Sequence, residues 1–500
     1  MKKNQKRKFK NNKNEKITLD KIIEEEIKEN SIRNGFSNKV IEYCRLISNK
    51  KTRDHLNFTK IPFVTIDGED SKDFDDAIWS EYKNLNTKIM VAISDVSFFV
   101  KKNDPLDLEA KKRGNSFYFP DRVIPMLPEE ISNKICSLVP NQERACLIIE
   151  VNLKDNGEIT SSKFHRAIIK SVGRLTYNEV EEIYNLKKIK NRYYTLIQNL
   201  FRAYRILSQS SKSRGKINFN PQEYKIQLDK KNGFVLEKIK NLESYKLIEE
   251  FMILANSLVG KLLTTKKVKS IYRNHEKPKK EKINNLKKIF RQLNLNFNKN
   301  FNTQNDYNLT IQIIKEKKLD HLNDILLRSQ TKAYYDEENK GHFGLGLENY
   351  THFTSPIRRY SDLVVHRDLI EIYFNKNKKN TNSNITSHLT FQEKKADTIE
   401  RNIIERACSL HLKTIKNYEF KGVVDGIENF GIFIKSIDFP FSGLARIRTS
   451  HIKSNQNYSK KKSQKVQKFK IGQLVKFKIK RNNISNRKIL LDKVKVINQL

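Results

Sequence analysis

Residues 65–79 read TIDGEDSKDFDDAIW and place Asp67, Asp70, Asp73, Asp75 and Asp76 within ten positions, with Glu69 as a sixth acid. Like charges this close repel and raise one another's pKa. A fold that accepts the run must therefore leave it in water or offset it with a cation. A solvated acidic loop is the plain reading. The apolar residues threaded through the run weigh against it: Ile66, Phe74, Ala77, Ile78 and Trp79, the chain's only tryptophan. A strand entering over 63–67 and another leaving over 77–80 would hold the acids at one sheet edge. No His or Cys stands beside them, so the donors are hard oxygens. Such donors suit Mg²⁺ or Mn²⁺ and not zinc.

The run is acidic inside a basic chain. Over 500 residues, 98 Lys and Arg against 57 Asp and Glu leave a net charge of +41. Two readings stay open. A polyanion such as nucleic acid would use that charge; AT-rich coding drift, which favours Lys, Asn and Ile, would produce it without any ligand. Charge alone separates neither DNA from RNA nor an enzyme from a binder. An acidic metal site in a basic body is nonetheless the pairing expected of phosphoryl transfer on a polynucleotide. With 28 Phe and 19 Tyr the chain can bury a sizeable core, which excludes general disorder. No stretch approaches the ~18 apolar residues of a membrane span, and no apolar segment follows the basic N-terminus as in a secretory leader. Four scattered cysteines (Cys44, Cys136, Cys146, Cys408) fit a reducing cytosol and not a disulfide scaffold or zinc knuckle. The expected location is the cytoplasm.

A second constellation lies at 341–367, GHFGLGLENYTHFTSPIRRYSDLVVHR. The spacing of Ile357, Tyr360, Leu363, Val364 and Ile370 predicts an amphipathic helix over 356–374, with Ser355 as N-cap and Pro356 in the first turn. Arg358 in that turn could add bidentate contacts to a phosphate held at the helix N-terminus. His342, His352 and His366 lack a metal-type spacing and read as structural. The GLG here lacks the third glycine of a dinucleotide fingerprint. Elsewhere, periodicity predicts a strand over 88–96, two short helices within 17–50, and helices over 176–210, 244–264, much of 280–330 and 389–417. Short strands return from 418, and the boundary falls near 415. Residues 1–16 read as a disordered basic tail.

These blocks resemble the ribonuclease II / ribonuclease R family. The resemblance rests on TIDGEDSKDFDDAIW, RGNSFYFPDRVIPMLPEEISNKICSL (113–138) and HFGLGLENYTHFTSPIRRYSDLVVHR, supported by RLTYNEV, RGKINFNPQE, LIEEFMILAN and YRNHEKP in the same order. From about 418, FKGVVDGIENFGIFIK, SGLARI and FKIGQLVKFKI resemble an S1 RNA-binding domain. The resemblance implies an α+β chain: a basic tail and helical segment (1–50), an RNB-type catalytic domain (51–415) and a C-terminal OB-fold barrel (418–500). It also implies a processive, Mg²⁺-dependent 3′→5′ exoribonuclease that acts on single-stranded RNA and releases nucleoside 5′-monophosphates.

By that resemblance Asp67, Asp73, Asp75 and Asp76 hold the metal, with Asp75 and Arg358 the catalytic pair; Asp70 matches the aspartate of the ribonuclease R-like form. Tyr118 and Phe219 would bracket the stacked 3′-terminal bases. Tyr177 and Glu249 would sit near the sugar hydroxyls, and Glu405 matches a channel glutamate loosely. In the barrel, Phe420, Phe430 and Phe433 are candidates for stacking on RNA, with some of these aromatics expected in the barrel core. Expected partners are single-stranded RNA and possible ribosome or RNA-decay factors, with the chain a monomer. About 60 residues precede the acid cluster, too few for the two cold-shock barrels usual in the family. The tail at 1–16 and the Lys-rich stretch 453–468 are expected to supply part of the missing RNA grip. The competing readings are a non-catalytic RNA-binding factor that keeps the fold, and a nuclease acting on DNA.

Overall fold

The computed structural model describes residues 17–48, 55–219, 222–229, 233–295, 297, 299–376, 385–415, 418–446 and 469–497. The tail at 1–16 and the stretch 453–468 lie outside the described residues. The chain packs as two units, one made of residues 33–223 and 239–398, the other of residues 1–32, 224–238 and 399–500.

The larger unit is built on a mixed seven-stranded sheet. In chain order its neighbourhood holds β1 (Leu56–Asn57), β2 (Val64–Asp67), β3 (Asp76–Lys83), β4 (Asn86–Ser94), the short hairpin β5 (Phe117–Tyr118) and β6 (Val123–Ile124), then β7 (Glu143–Lys154), β8 (Ile159–Lys170) and β9 (Gly173–Thr176). The sheet runs β1-β8-β7-β4-β3-β2-β9. Its ladders are antiparallel except where β1 joins β8 and β2 joins β9. β3 and β4 turn through Asn84 and Leu85, both at positive φ (+52° and +58°). That is the two-residue hairpin whose twist matches the strands.

Both faces of the sheet are covered, and the side-chain period of two sorts them. Ile78, Ile89, Val91, Ile93, Leu147 and Ile149 face a core shared with helices Tyr194–Ser213 and Glu243–Thr265. The alternate residues Ala77, Met90, Ala92, Cys146 and Ile148 face a second core with Phe63 and Phe74. Burial on both faces makes Ile89–Ile93 a continuous buried run, in place of the in–out alternation expected of the strand over 88–96.

The helix predicted over 356–374 is shorter than its periodicity suggests. Residues 356–358 form a turn, the α-helix runs Tyr360–Leu369, and a π-helical turn carries it to Phe374. Arg359 leaves the helical path by bridging to Asn115, while Tyr360 N–H donates to Gly114 O. The apolar face still forms: Ile357, Tyr360, Leu363, Val364 and Ile370 are all buried in the main core.

The GLG pair is a packing turn. Gly346 lies at φ +63°, and a Cβ there would stand 2.5 Å from Arg214 O. Gly346→Ala is therefore expected to lower stability by about 1–3 kcal/mol, read as a fall in the urea midpoint; an unchanged midpoint would contradict the packing.

In the second unit, strands Phe420–Glu428, Gly431–Ser436, Ser442–Ala445, Lys488–Val496 and Leu474–Asn483, in that spatial order, close into a barrel. This is the five-stranded order of an OB-fold. Its core holds Phe420, Val424, Ile432, Ile434, Phe441 and Phe477. Phe420 is thus a core residue and not a stacking platform, because its ring packs against Phe477 and Phe441. The helical N-terminal segment divides. Helix Leu19–Glu29 belongs to the barrel unit, where buried Glu26 pairs with Arg406 (3.1 Å) and Arg487 (2.8 Å); helix Asn38–Ile47 belongs to the sheet unit.

Candidate active site

The acids occupy the loop that joins two neighbouring strands. Asp67 ends β2, Asp76 opens β3, and Asp73 and Asp75 lie between them. Other elements pin this loop. Arg174 on β9 donates to Gly68 O (2.7 Å) and to Glu69 O, and its guanidinium lies 5.7 Å over the Phe74 ring. Ser137 Oγ donates to Lys72 O (2.7 Å) and accepts from Phe74 N–H (3.0 Å). Ser94 N–H, at the end of β4, donates to Asp75 O (2.9 Å).

Asp75 is the centre of the arrangement, only 4% exposed. Its Oδ1 accepts from Ile357 N–H at 2.8 Å, and its Oδ2 accepts from Arg358 Nε at 3.2 Å. Arg358 donates a second bond, from Nη2 to Ser355 Oγ at 3.0 Å, and keeps 47% of its side chain exposed. The free N–H predicted at a helix N-terminus is therefore a turn N–H already bound to Asp75, and the cationic group left exposed beside it is the arginine itself. Tyr118, 45% exposed on β5, donates its hydroxyl to Asp73 Oδ2 at 2.6 Å.

The electrostatics are those of an under-neutralised cluster. Burial, opposed by Arg358 and added to by Asp73, pushes the Asp75 carboxyl up to about 8. Burial and Asp73, against Arg358 and Arg174, push Asp67 up to about 6. Asp76 is driven well above the usual carboxylate range by burial and by Asp67 and Asp75. Such a set of hard oxygens fits a divalent cation, which would remove the repulsion that raises them. Among the described residues, however, no three His, Cys, Asp or Glu side chains form a ready metal cage. Both Asp75 oxygens and one Asp73 oxygen are engaged by Ile357, Arg358 and Tyr118 instead.

The other expected residues separate into groups. Tyr177 begins the helix Tyr177–Asn185, capped by Thr176 and Glu179. Burial, then Asp76 and Asp67, raise its hydroxyl pKa, which places it in the field of the acids. Glu249 is exposed on helix Glu243–Thr265 and pairs with Lys216 at 2.6 Å, three residues before half-buried Phe219. No described contact joins Phe219 to Tyr118. Asp70 is exposed on the acid loop. Glu405, Phe430 and Phe433 belong to the barrel unit; the two phenylalanines are exposed, with ring centroids 6.1 Å apart at 89°. The three histidines read as structural make internal contacts, His366 buried and His342 and His352 half-buried: His366 contacts Phe353 O at 2.8 Å, His352 contacts Tyr335 Oη at 2.7 Å, and His342 Nδ1 accepts from Leu345 N–H.

The family described as the RNB domain matches residues 53–375. The chain belongs to the RNB-domain family. Ribonuclease R of Escherichia coli is 34% identical over 463 residues, covering 87% of this chain and 57% of that protein, so the chain spans a little over half of that relative's length. A structure of Mycoplasma genitalium RNase R in complex with ribose-methylated single-stranded RNA superposes with a TM-score of 0.84 at 28% identity, covering 95% of this chain and 78% of that one. Yeast Ssd1, described as a pseudonuclease, shares the fold at 18% identity and a TM-score of 0.67, covering 85% of this chain and 55% of that one.

Three residues beside the acids and Tyr177 were not singled out by the sequence. Tyr245, exposed at the start of helix Glu243–Thr265, packs its ring 4.2 Å from that of Tyr177. Arg174 and Ser137 anchor the acid loop from distant segments. Their positions within RLTYNEV and within the block 113–138 could have marked Arg174 and Ser137; Tyr245 lies in neither.

Proposed function

We propose that this protein is a 3′→5′ exoribonuclease that hydrolyses single-stranded RNA to nucleoside 5′-monophosphates, processively and with Mg²⁺. The observation that carries this reading is the direct bond between Asp75, at the heart of the acid cluster, and Arg358, whose outer half faces solvent. Asp67, Asp73, Asp75 and Asp76 would hold the ion. Bound there, it would supply charge neutralisation and activation of a water.

The chain's own groups do the rest. Arg358, anchored through Nε and Nη2, offers its remaining N–H groups to the phosphate and stabilises the charge that develops on it. The open ring of Tyr118 offers a stacking face that tolerates any base, worth ~1–3 kcal/mol per base; Phe219 is the proposed second face. Tyr177 and Glu249 would approach the sugar. Phe430 and Phe433, on a barrel read as an S1 domain, would add contacts to upstream nucleotides. We take the protein to act in the cytoplasm as a monomer, with ribosome or RNA-decay factors as possible partners.

The deciding experiment incubates 5′-labelled single-stranded RNA and DNA with the protein, with Mg²⁺ or EDTA, and reads the products on a gel. RNA alone should shorten from its 3′ end, and only with Mg²⁺. No product would favour a non-catalytic RNA-binding factor, a reading to which the retained acid cluster runs counter. Cleaved DNA would favour a DNA nuclease.

The basic tail is assigned part of the RNA grip. Removing residues 1–16 is expected to weaken RNA binding and flatten its dependence on salt, because fewer phosphates are neutralised. Titrations at several salt concentrations check this, and an unchanged slope would refute it.

A further inference from the structure

Arg358 is held by a turn, and that turn is itself held from behind. Asp362 is fully buried. Its Oδ1 accepts from Ser355 N–H at 2.8 Å and from Arg359 Nη2 at 2.6 Å; its Oδ2 accepts from Arg359 Nε at 2.9 Å and from Ser361 Oγ at 2.8 Å. Behind it, Ser361 Oγ reaches Tyr335 Oη at 3.2 Å, and Tyr335 Oη reaches His352 at 2.7 Å. Arg273 adds a cation face to the Tyr335 ring at 4.8 Å and pairs with Glu393 at 2.6 Å.

The consequence is a relay of two contacts. Asp362 fixes Ser355 through its backbone N–H, and Ser355 Oγ receives Arg358 Nη2. The same turn is fixed two residues later by Asp75 through Ile357 N–H. Arg358 is thus oriented by one carboxylate at the reacting centre and by a second, sealed from solvent and more remote. Arg359 is the counter-charge that lets Asp362 remain buried, which gives the tandem arginines opposite tasks: Arg358 faces outward and Arg359 inward.

We propose that Asp362 is a positioning residue for Arg358, acting through Ser355. It touches no substrate. Its task is to keep the guanidinium in one rotamer, so that no ordering is left for the moment of reaction. The proposal rests on the exonuclease reading above.

The test compares wild type, Ser355→Ala, Asp362→Asn and the double variant by steady-state kinetics on single-stranded RNA, with thermal unfolding alongside. Asp362→Asn should lower kcat tenfold or more and leave KM within about twofold. Ser355→Ala should lower kcat in the same manner with an unshifted melting midpoint, since it removes one hydroxyl. The double variant should be no slower than Asp362→Asn alone, because both residues act on the same side chain. Should Asp362→Asn fail to fold, Ser355→Ala decides: wild-type kcat in that variant overturns the proposal. Multiplying losses in the double variant, or a KM effect without a kcat effect, overturn it too. A wild-type protein that does not shorten RNA would refute the exonuclease reading itself, a different result from active wild type with unaffected variants.

Discussion

Asp75→Asn is expected to lower the rate of RNA hydrolysis by roughly 10²–10³ or more, a loss of the size seen when one preorganised polar group leaves an active site, while RNA affinity changes little. Both carboxylate oxygens are committed in the folded protein, one to Ile357 N–H and one to Arg358 Nε. An asparagine can accept only one of these bonds, and its amide must turn N–H groups toward one of the two donors. It also removes a negative oxygen from the proposed cation site. Binding should survive, because the stacking ring of Tyr118 and the basic surfaces are untouched. On stability two effects oppose each other: the buried like-charge cluster is relieved, while one donor to Asp75 is left facing an amide N–H. Hydrolysis rates and equilibrium RNA binding, measured on one preparation, decide the matter. Equal loss of binding and cleavage would remove Asp75 from the chemistry.

The largest effect on stability is expected from Asp95→Ala, about 3–5 kcal/mol at neutral pH, the size associated with breaking a buried ion pair on one side. Asp95 is fully buried. Its Oδ1 accepts from Ser97 Oγ (2.5 Å) and Phe98 N–H (2.9 Å), and its Oδ2 accepts from Arg166 Nε (2.7 Å), with His55 Nε2 at 3.5 Å. Burial alone would raise its pKa. The contacts from His55, Arg166 and Ser97 outweigh burial and hold the carboxyl well below its usual range. A depressed folded-state pKa means that the stabilisation is fully present above the unfolded value near 4. It is lost as the pH falls toward the folded value. Wild type and variant should therefore differ by a constant amount from pH 5 to 8, and the gap should narrow below about pH 4. Urea unfolding at pH 7 and pH 3 measures both limits; a gap that widens in acid would contradict the sign. Asp95 also matters to the site, because it follows Ser94, whose N–H holds the Asp75 carbonyl.

Much of this protein is legible along the chain. The strands around 65–79 and at 88–96 follow from their branched and apolar content, and the helices near 176–210, which form two elements (Tyr177–Asn185 and Tyr194–Ser213), and 244–264 from the 3.6 period of their buried faces. The acid run and its contrast with a +41 chain point to metal-assisted chemistry on a polyanion because charge repulsion is a property of spacing. Short strands are legible from 418 onward and the barrel follows from the resemblance to an S1 domain; of its three candidate stacking rings Phe420 turns inward, while Phe430 and Phe433 are exposed.

What the sequence by itself determined is the kind of chemistry: which residue types are available, at what spacing, on which class of element. What only the tertiary structure decided is the pairing of particular atoms. Asp75 and Ile357 are 282 residues apart, so nothing in either segment says that they meet. Their meeting converts a predicted helix start into a turn, assigns Arg358 to the site and Arg359 to Asp362, and sets Arg174 and Ser137 against the acid loop. The reason is physical. Periodicity reports which face of an element is buried, but the partner of a buried charge is settled by packing across the whole unit, where each committed hydrogen bond removes one alternative from every other group.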